Sequence, residues 1–298
     1  MKIEFDDAYE PLLERAGTVV LLGSMGTGKT RFAVDLVEKA RARGMDPAIV
    51  DCDIDQSTVG PPTTVGLKRI TDDVPLSQET LWEADELAFV GALNPRGHLL
   101  PLVSGVARLV RRARESGCRL VVVDTTGFVS GIYGQWLNYY VMDAALPDSV
   151  VGFERGGELE PLIGVAQRFT PAEVLELDVS NRMNIPSIED RMETREKHFA
   201  AYFGAHASRW RVKPTVFMPT LPPDFDLSQL DGLVVGMENG AGTCVGIGIL
   251  EYDATESILR MVSPVTEGVR GLRLGSVKID VTGHQRGTVN LPELFGSE

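Results

Sequence analysis

The sequence predicts an α/β fold: a parallel sheet with helices on both faces, followed by a small β-rich C-terminal domain. Three observations predict it. Short apolar runs alternate with helical stretches from residue 17 to about residue 212, the pattern of strands joined by crossover helices. The first run feeds Gly23-Ser24-Met25-Gly26-Thr27-Gly28-Lys29-Thr30, which fits G-x-x-x-x-G-K-[ST] and marks the sheet as that of a P-loop NTPase. From about Lys213 the texture changes to a passage with Pro214, Pro219, Pro222 and Pro223, and then to β-type runs punctuated by glycine. The expected division is therefore an N-terminal extension over 1–16, a P-loop domain over 17–212 and a β-rich domain over 213–298.

The elements follow in order. Thr18 to Leu22 reads as a buried strand and Arg31 to Val37 as a helix. A glycine loop between them lets backbone N–H groups from Gly23 through Thr30 converge on an anion at a helix N-terminus. Lys29 then reaches the β- and γ-phosphates of a nucleoside triphosphate, and the Thr30 hydroxyl is placed to ligate Mg²⁺. The second strand, Pro47 to Asp51, leads into Cys52-Asp53-Ile54-Asp55-Gln56. Acids beyond a strand beside the phosphate loop can hold Mg²⁺ or accept a proton from an attacking hydroxyl. Asp53 is the best placed of them, with Asp55 expected to cap or solvate the turn. Gly60-Pro61-Pro62-Thr63-Thr64 follows as a stiff loop.

Further strands are expected at Leu87 to Ala92, Arg119 to Asp124, Ser149 to Phe153 and Ala172 to Leu177. The fourth strand of the series ends in Asp124 after a run of apolar residues, a Walker-B-like arrangement that puts a second carboxylate near Mg²⁺. Glu189 to Phe203 reads as an arginine-rich helix, a lid over about 188–206. At 100° per residue Ile188, Met192, Phe199, Tyr202 and Phe203 form one apolar stripe. Arg195 falls inside it and Arg191 at its edge, so both are directed toward protein or ligand. An arginine fork binds phosphoryl oxygens bidentately and stays charged. The competing role is a salt bridge with Glu193 or Asp190.

Composition bounds the function. With 298 residues, 43% hydrophobic and 24% charged, the chain suits one large or two ordinary globular domains. No apolar run approaches the ~20 residues of a membrane helix. The acidic start, Met1 to Asp7, lacks the shape of a signal peptide. Cys52, Cys118 and Cys244 lack metal spacing and suit a reducing cytoplasm. The net charge of −13 argues against tight nonspecific binding to long nucleic acid. Basic clusters occur at Arg108 to Arg114, Arg191 to Lys197 and Arg209 to Lys213. The first is expected to be a solvated helix face.

Taken together, these segments resemble the polynucleotide 5′-hydroxyl kinase family of RNA-processing P-loop kinases. The resemblance covers about residues 17–212 and, more loosely, the β-rich tail. It rests on the phosphate loop, on Asp51-Cys52-Asp53-Ile54-Asp55-Gln56-Ser57 with Gly60-Pro61-Pro62, and on Phe89-Val90-Gly91 leading to Pro95-Arg96-Gly97-His98. It rests also on Asp124-Thr125-Thr126-Gly127-Phe128-Val129-Ser130-Gly131 and on Arg191 to Phe203.

The resemblance implies transfer of the γ-phosphate of ATP or GTP, with Mg²⁺, to the 5′-hydroxyl of RNA or DNA. Lys29, Asp53, Arg191 and Arg195 would be catalytic, with Asp53 activating the hydroxyl. Thr30, Asp53 and Asp124 would serve the metal. Gln56, Phe128 and Arg96 would meet the substrate, Phe128 by stacking on its terminal base. The chain departs from its relatives in several places. Pro186 precedes Ser187 where the lid often opens with Arg-Ser, which leaves Arg182 as a candidate substitute. Ala92-Leu93-Asn94 replaces a Ser/Thr-rich turn, and Asp55 replaces a residue that is commonly glycine. Two other readings stay open: a P-loop ATPase or GTPase acting as a protein-assembly switch, and a small-molecule kinase. Asp124-Thr125-Thr126-Gly127 resembles a GTPase switch, but no Asn-Lys-x-Asp segment that would read guanine occurs.

Overall fold

The computed structural model describes residues 2–71, 76–179, 185–204 and 206–296. The chain begins with β1 (Lys2–Ile3), α1 (Phe5–Arg15), β2 (Gly17–Gly23), α2 (Lys29–Ala42) and β3 (Pro47–Asp51). Then come β4 (Thr64–Arg69), α3 (Gln78–Trp82), β5 (Glu86–Phe89), α4 (Leu99–Glu115), β6 (Leu120–Asp124) and α5 (Gly131–Ala145). They are followed by β7 (Ser149–Glu154), α6 (Glu160–Phe169), β8 (Glu173–Asp178) and α7 (Ile188–Phe203). The remaining elements are β9 (Ser208–Val212), β10 (Phe217–Met218), β11 (Leu233–Glu238), β12 (Cys244–Asp253), β13 (Ile258–Ser263), β14 (Gly271–Ile279), β15 (Gln285–Thr288) and α8 (Leu291–Leu294).

The α/β architecture expected from the sequence is present. Strands run in the order β1-β8-β7-β2-β6-β3-β4-β5, parallel as far as β3. The sheet is mixed, because β4 and β5 add antiparallel strands beyond β3. Alternate side chains of β2 enter two different cores. Val20 and Leu22 pack with α4, α5 and α6, whereas Val19 and Leu21 pack with α1 and α2. A strand buried on both faces reads as a continuous apolar run rather than an alternating one, which is why Thr18 to Leu22 stands out in the sequence.

The first sixteen residues hold α1, whose Ala8, Tyr9, Leu12 and Leu13 are buried. Tyr9 stacks on Phe32 of α2 with ring centroids 4.6 Å apart. At the other end, the β-rich strands continue the same hydrogen-bonded surface. Cys244 of β12 pairs with Leu87 of β5, and β9 joins the later strands by pairing with β13.

Helix α7 sits over this junction. Ser187 caps it in a capping box: its side chain accepts from the Asp190 N–H at 3.0 Å, and the Asp190 carboxylate accepts from the Ser187 N–H. Such a box satisfies two N–H groups that would otherwise lack partners. Phe199 and Phe203 are fully buried against Leu87, Phe89, Ile247 and Ile249, each burial contributing about 1.5–3 kcal/mol. The Tyr202 hydroxyl accepts from the Ile247 N–H at 2.9 Å. The expected apolar stripe holds only in this half of the helix, because Ile188 and Met192 are exposed.

Candidate active site

The phosphate loop joins β2 to α2 at the carboxyl end of the parallel sheet, where ligands sit in open α/β folds. Gly28 precedes α2 with φ +90°, a left-handed conformation that glycine adopts without strain. Gly127 passes so close that a Cβ there would lie 2.3 Å from Met25 Cγ and 2.8 Å from the Met25 backbone nitrogen. Loop and β6 extension therefore pack backbone against backbone. Lys29 is buried, and its Nζ donates to the Gly23 and Ser24 carbonyls at 2.8 and 3.1 Å. Burial pushes its pKa down, while Asp124 and Asp53 oppose the shift.

Asp51 and Asp124 are paired across β3 and β6. Their roles differ. Asp51 is a structural staple that accepts N–H groups from Asp53, Thr58 and Val59 at 2.9, 2.6 and 3.0 Å. Asp124 faces the phosphate loop: its Oδ2 accepts from Thr30 Oγ1 at 2.6 Å. Its Oδ1 is buried with no hydrogen-bond partner. Burial raises the pKa of both carboxyls. Neighbouring carboxylates raise Asp51 further, while Lys29 and the Thr30 hydroxyl hold Asp124 down. A buried anionic oxygen without a donor, beside a hydroxyl at the start of a phosphate-loop helix, is a fitting place for a divalent cation. Among the described residues no group of three or more His, Cys, Asp or Glu could hold a metal ion. Phosphate and water oxygens would have to complete the shell, as they commonly do for Mg²⁺.

Asp53 stands two residues beyond Asp51, just past the end of β3. Its Oδ1 accepts from the Asp55 and Gln56 N–H groups at 3.1 and 3.0 Å. Burial raises its pKa, and those two hydrogen bonds and Lys29 counter the shift. A cavity of about 330 Å³ is lined by Met25 to Arg31 together with Asp53, Gln56, Asp124 and Arg191. Of the residues selected from the sequence, Met25 to Thr30, Asp53, Gln56, Asp124 and Arg191 thus share one space, whereas Gly23, Ser24 and Arg195 do not line it.

The lid arginines separate. Arg191 lines the cavity, with Nη1 3.3 Å from Met25 Sδ and 3.9 Å from Asp55 Oδ2. Arg195 is buried, with Nη1 on Asp55 Oδ1 and Nη2 on Gln285 Oε1 at 2.9 Å. Its partner is Asp55, not Glu193 or Asp190. Glu193 pairs with Lys197, and Asp190 caps the helix. Asp55 therefore does not simply cap or solvate its turn; it ties the turn to α7. Gln56 adds a second tie, from Nε2 to the Arg191 carbonyl at 3.1 Å. Arg182 lies outside the described residues.

Phe128 is half-buried, and the Arg96 guanidinium lies 5.5 Å from its ring centroid and 5.8 Å from that of Tyr133. The arginine-rich face of α4 is engaged elsewhere, with Arg111 on Glu115, Arg112 on Glu86 and Arg114 on Thr18 Oγ1. Sequence reasoning missed two braces of the phosphate loop. Arg155 Nη2 donates to the Gly26 carbonyl at 2.9 Å, and Glu158 accepts from Ser24 Oγ at 3.3 Å. Both follow β7, which pairs directly with β2. Adjacency to the phosphate-loop strand was the signal that could have found them.

Comparison with known proteins adds a family. The model of the family described as mRNA cleavage and polyadenylation factor CLP1 P-loop matches residues 23–205. The chain is 25% identical over 333 residues to a polyribonucleotide 5′-hydroxyl-kinase of Pyrococcus horikoshii, covering 93% of this chain and 90% of that one. It is 25% identical over 265 residues to polyribonucleotide 5′-hydroxyl-kinase Clp1 of Xenopus tropicalis, covering 86% of this chain and 56% of that one. Its fold matches Clp1p in the wild-type Clp1p–Pcf11p complex with a TM-score of 0.69 at 12% identity, over 92% of this chain and 78% of that one. Among the described residues no helix is long and apolar enough to cross a membrane.

Proposed function

The chain belongs to the mRNA cleavage and polyadenylation factor CLP1 P-loop family, and from that premise we propose that it moves the γ-phosphate of ATP or GTP to the 5′-hydroxyl of an RNA or DNA strand. The observation that carries this reading is the shared cavity. The phosphate loop, Asp53, Gln56 and Arg191 all line it, so donor and general base face the same volume. The names of the relatives, polyribonucleotide 5′-hydroxyl-kinases, support the same acceptor.

In this mechanism the loop N–H groups and Lys29 hold the triphosphate, Lys29 leaving its carbonyl partners for phosphate oxygens. Bound Mg²⁺, held by Thr30 and Asp124, would neutralise charge on the β- and γ-phosphates. Asp53 accepts the proton of the 5′-hydroxyl as its oxygen attacks the γ-phosphorus. The bond from that phosphorus to the β-bridging oxygen breaks, and nucleoside diphosphate leaves. Arg191 binds the equatorial oxygens of the phosphoryl group in flight. Arg195, engaged at both terminal nitrogens, holds the lid in place. Phe128 stacks on the terminal base, and Arg96 attracts its phosphate backbone. A cytoplasmic setting belongs to the same proposal, supported by the free cysteines.

Incubation with labelled ATP or GTP and 5′-hydroxyl oligonucleotides tests it, with Lys29→Ala as the control. Label should reach RNA or DNA 5′ ends with wild type only. A second reading, a nucleotide-dependent assembly protein, is favoured by the exposed Ile132, Tyr133, Trp136 and Tyr140 on α5. Slow hydrolysis stimulated by a protein partner, without oligonucleotide labelling, would select it instead.

A further inference from the structure

A second and larger cavity, of about 860 Å³, adjoins the donor cavity. One side is the loop around Asn94, Arg96 and His98, another is α7 with Arg191 and Arg195, and the third is the C-terminal sheet with Gln285, Thr288 and Asn290. Arg191 lines both cavities. We propose that this space seats the nucleotides that follow the 5′-terminal one, so that the C-terminal sheet forms a wall of the acceptor site. The inference rests on the kinase reading above and adds where the acceptor strand runs beyond its first nucleotide.

Charge supports a polyanion there. The chain carries −13 overall, yet among the described residues lining this cavity the only carboxylate is Asp55, already paired with Arg195. Arg96, Arg191 and Arg195 face it. The Nε atoms of Arg191 and Arg195 are buried without a hydrogen-bond partner, a costly state unless an acceptor arrives. The far wall offers short neutral groups, Thr288 and Asn290, suited to sugar hydroxyls and base edges. The volume is in the range that encloses a ligand of drug size, room for about two nucleotides. The wall is also tied to the catalytic turn. Gln285 of β15 accepts from Arg195, which grips Asp55, two residues beyond the proposed base.

The test compares a 5′-hydroxyl trinucleotide with a nucleoside 3′-monophosphate as acceptors. Wild type should show a KM for the trinucleotide at least about tenfold lower, an effect of the size a further stacked or bonded nucleotide gives. Thr288→Trp, which fills the cavity from an exposed position on β15, should erase that difference and leave nucleotide binding unchanged. Photo-crosslinking of a 4-thiouridine trinucleotide to wild type should mark residues 285–292. Unchanged KM values in Thr288→Trp, together with no adduct on 285–292, overturn the inference while leaving the kinase intact. No transfer to any acceptor sinks the kinase reading, and the adduct position still decides where a strand lies. Should Thr288→Trp lose nucleotide binding, the wild-type adduct alone decides: on 285–292 it upholds the acceptor wall, elsewhere it overturns it.

Discussion

Asp55 holds Arg195 across 140 residues of chain: Nη1 of the arginine meets Oδ1 of the carboxylate. Arg191 stands 3.9 Å from the other oxygen. The turn that carries Asp53 and the helix whose Arg191 lines the phosphate-loop cavity are therefore fastened to each other at one carboxylate.

Removing that carboxylate leaves Arg195 buried without its counter-ion. Asp55→Ala should cost about 3 kcal/mol, the scale of breaking one half of a buried pair. Arg195→Met combined with it should cost less than the two single changes together, by about 1–3 kcal/mol. Urea unfolding of the four proteins measures this. Simple additivity would mean that the pair carries no coupling.

Asp124 should govern the metal. Asp124→Asn keeps the acceptor for Thr30 but loses the charge on the unpartnered oxygen. The rate of phosphoryl transfer should fall about 100-fold, and the Mg²⁺ needed for half-maximal rate should rise. A Mg²⁺ titration identical to wild type would remove Asp124 from the metal shell.

Phe128→Ala should raise the KM for oligonucleotides about tenfold, in line with the loss of one stacked base. Binding of a fluorescent nucleotide should stay as in wild type, because Phe128 does not line the donor cavity. Equal loss of both would show that Phe128 supports the fold and not the substrate.

The proposed base, Asp53, could act only when ionised, so activity should rise with pH as it loses its proton. Burial raises its pKa, and the midpoint of this rise in kcat/KM should lie above the ~3.9 of an ordinary aspartate. Asp53→Asn should lower the rate by about 10² to 10⁴ and abolish that limb. A limb that persists unchanged in the variant belongs to another group.

Stability without nucleotide should carry the opposite trend. Asp51 is raised to about 8, first by burial and then by Asp124 and Asp53. A carboxyl whose folded pKa exceeds its unfolded value binds more protons when folded. Its contribution is full below the unfolded pKa, near 3.9, and is lost as pH climbs through the folded value. Thermal melts should therefore show the advantage of wild type over Asp51→Asn shrinking between about pH 4 and pH 8. A constant difference would mean that Asp51 stays ionised throughout.

Much of this site could be read from local pattern. β2, β3 and β6 are continuous apolar runs because both faces of each are covered, and the phosphate loop, Asp53 and Asp124 follow directly from them. Strand β4 escaped because Thr64 to Arg69 follows two prolines, contains Gly66 and ends in two cations, all of which read as loop. α1 escaped because Pro11 lies inside it, although its buried residues keep helical spacing. Asp55 was misjudged for a different reason: an acid in a turn looks solvated until its distant partner is known. Arg195 reaches it only after the chain has crossed β7 and β8. The same holds for Gln285, whose role depends on β15 lying beside α7.

The position of β2 has a consequence for synthesis. Its neighbours are β6 and β7, with Gly17 opposite Leu120 and Val19 opposite Ser149. A nascent chain extended to residue 115 contains the whole phosphate-loop sequence but neither flanking strand. Long-range pairings of this kind form late and slowly. The ability to grip a triphosphate should therefore switch on abruptly once β7 clears the ribosome, and fragments ending before Glu154 should carry the motif in a form that binds no nucleotide.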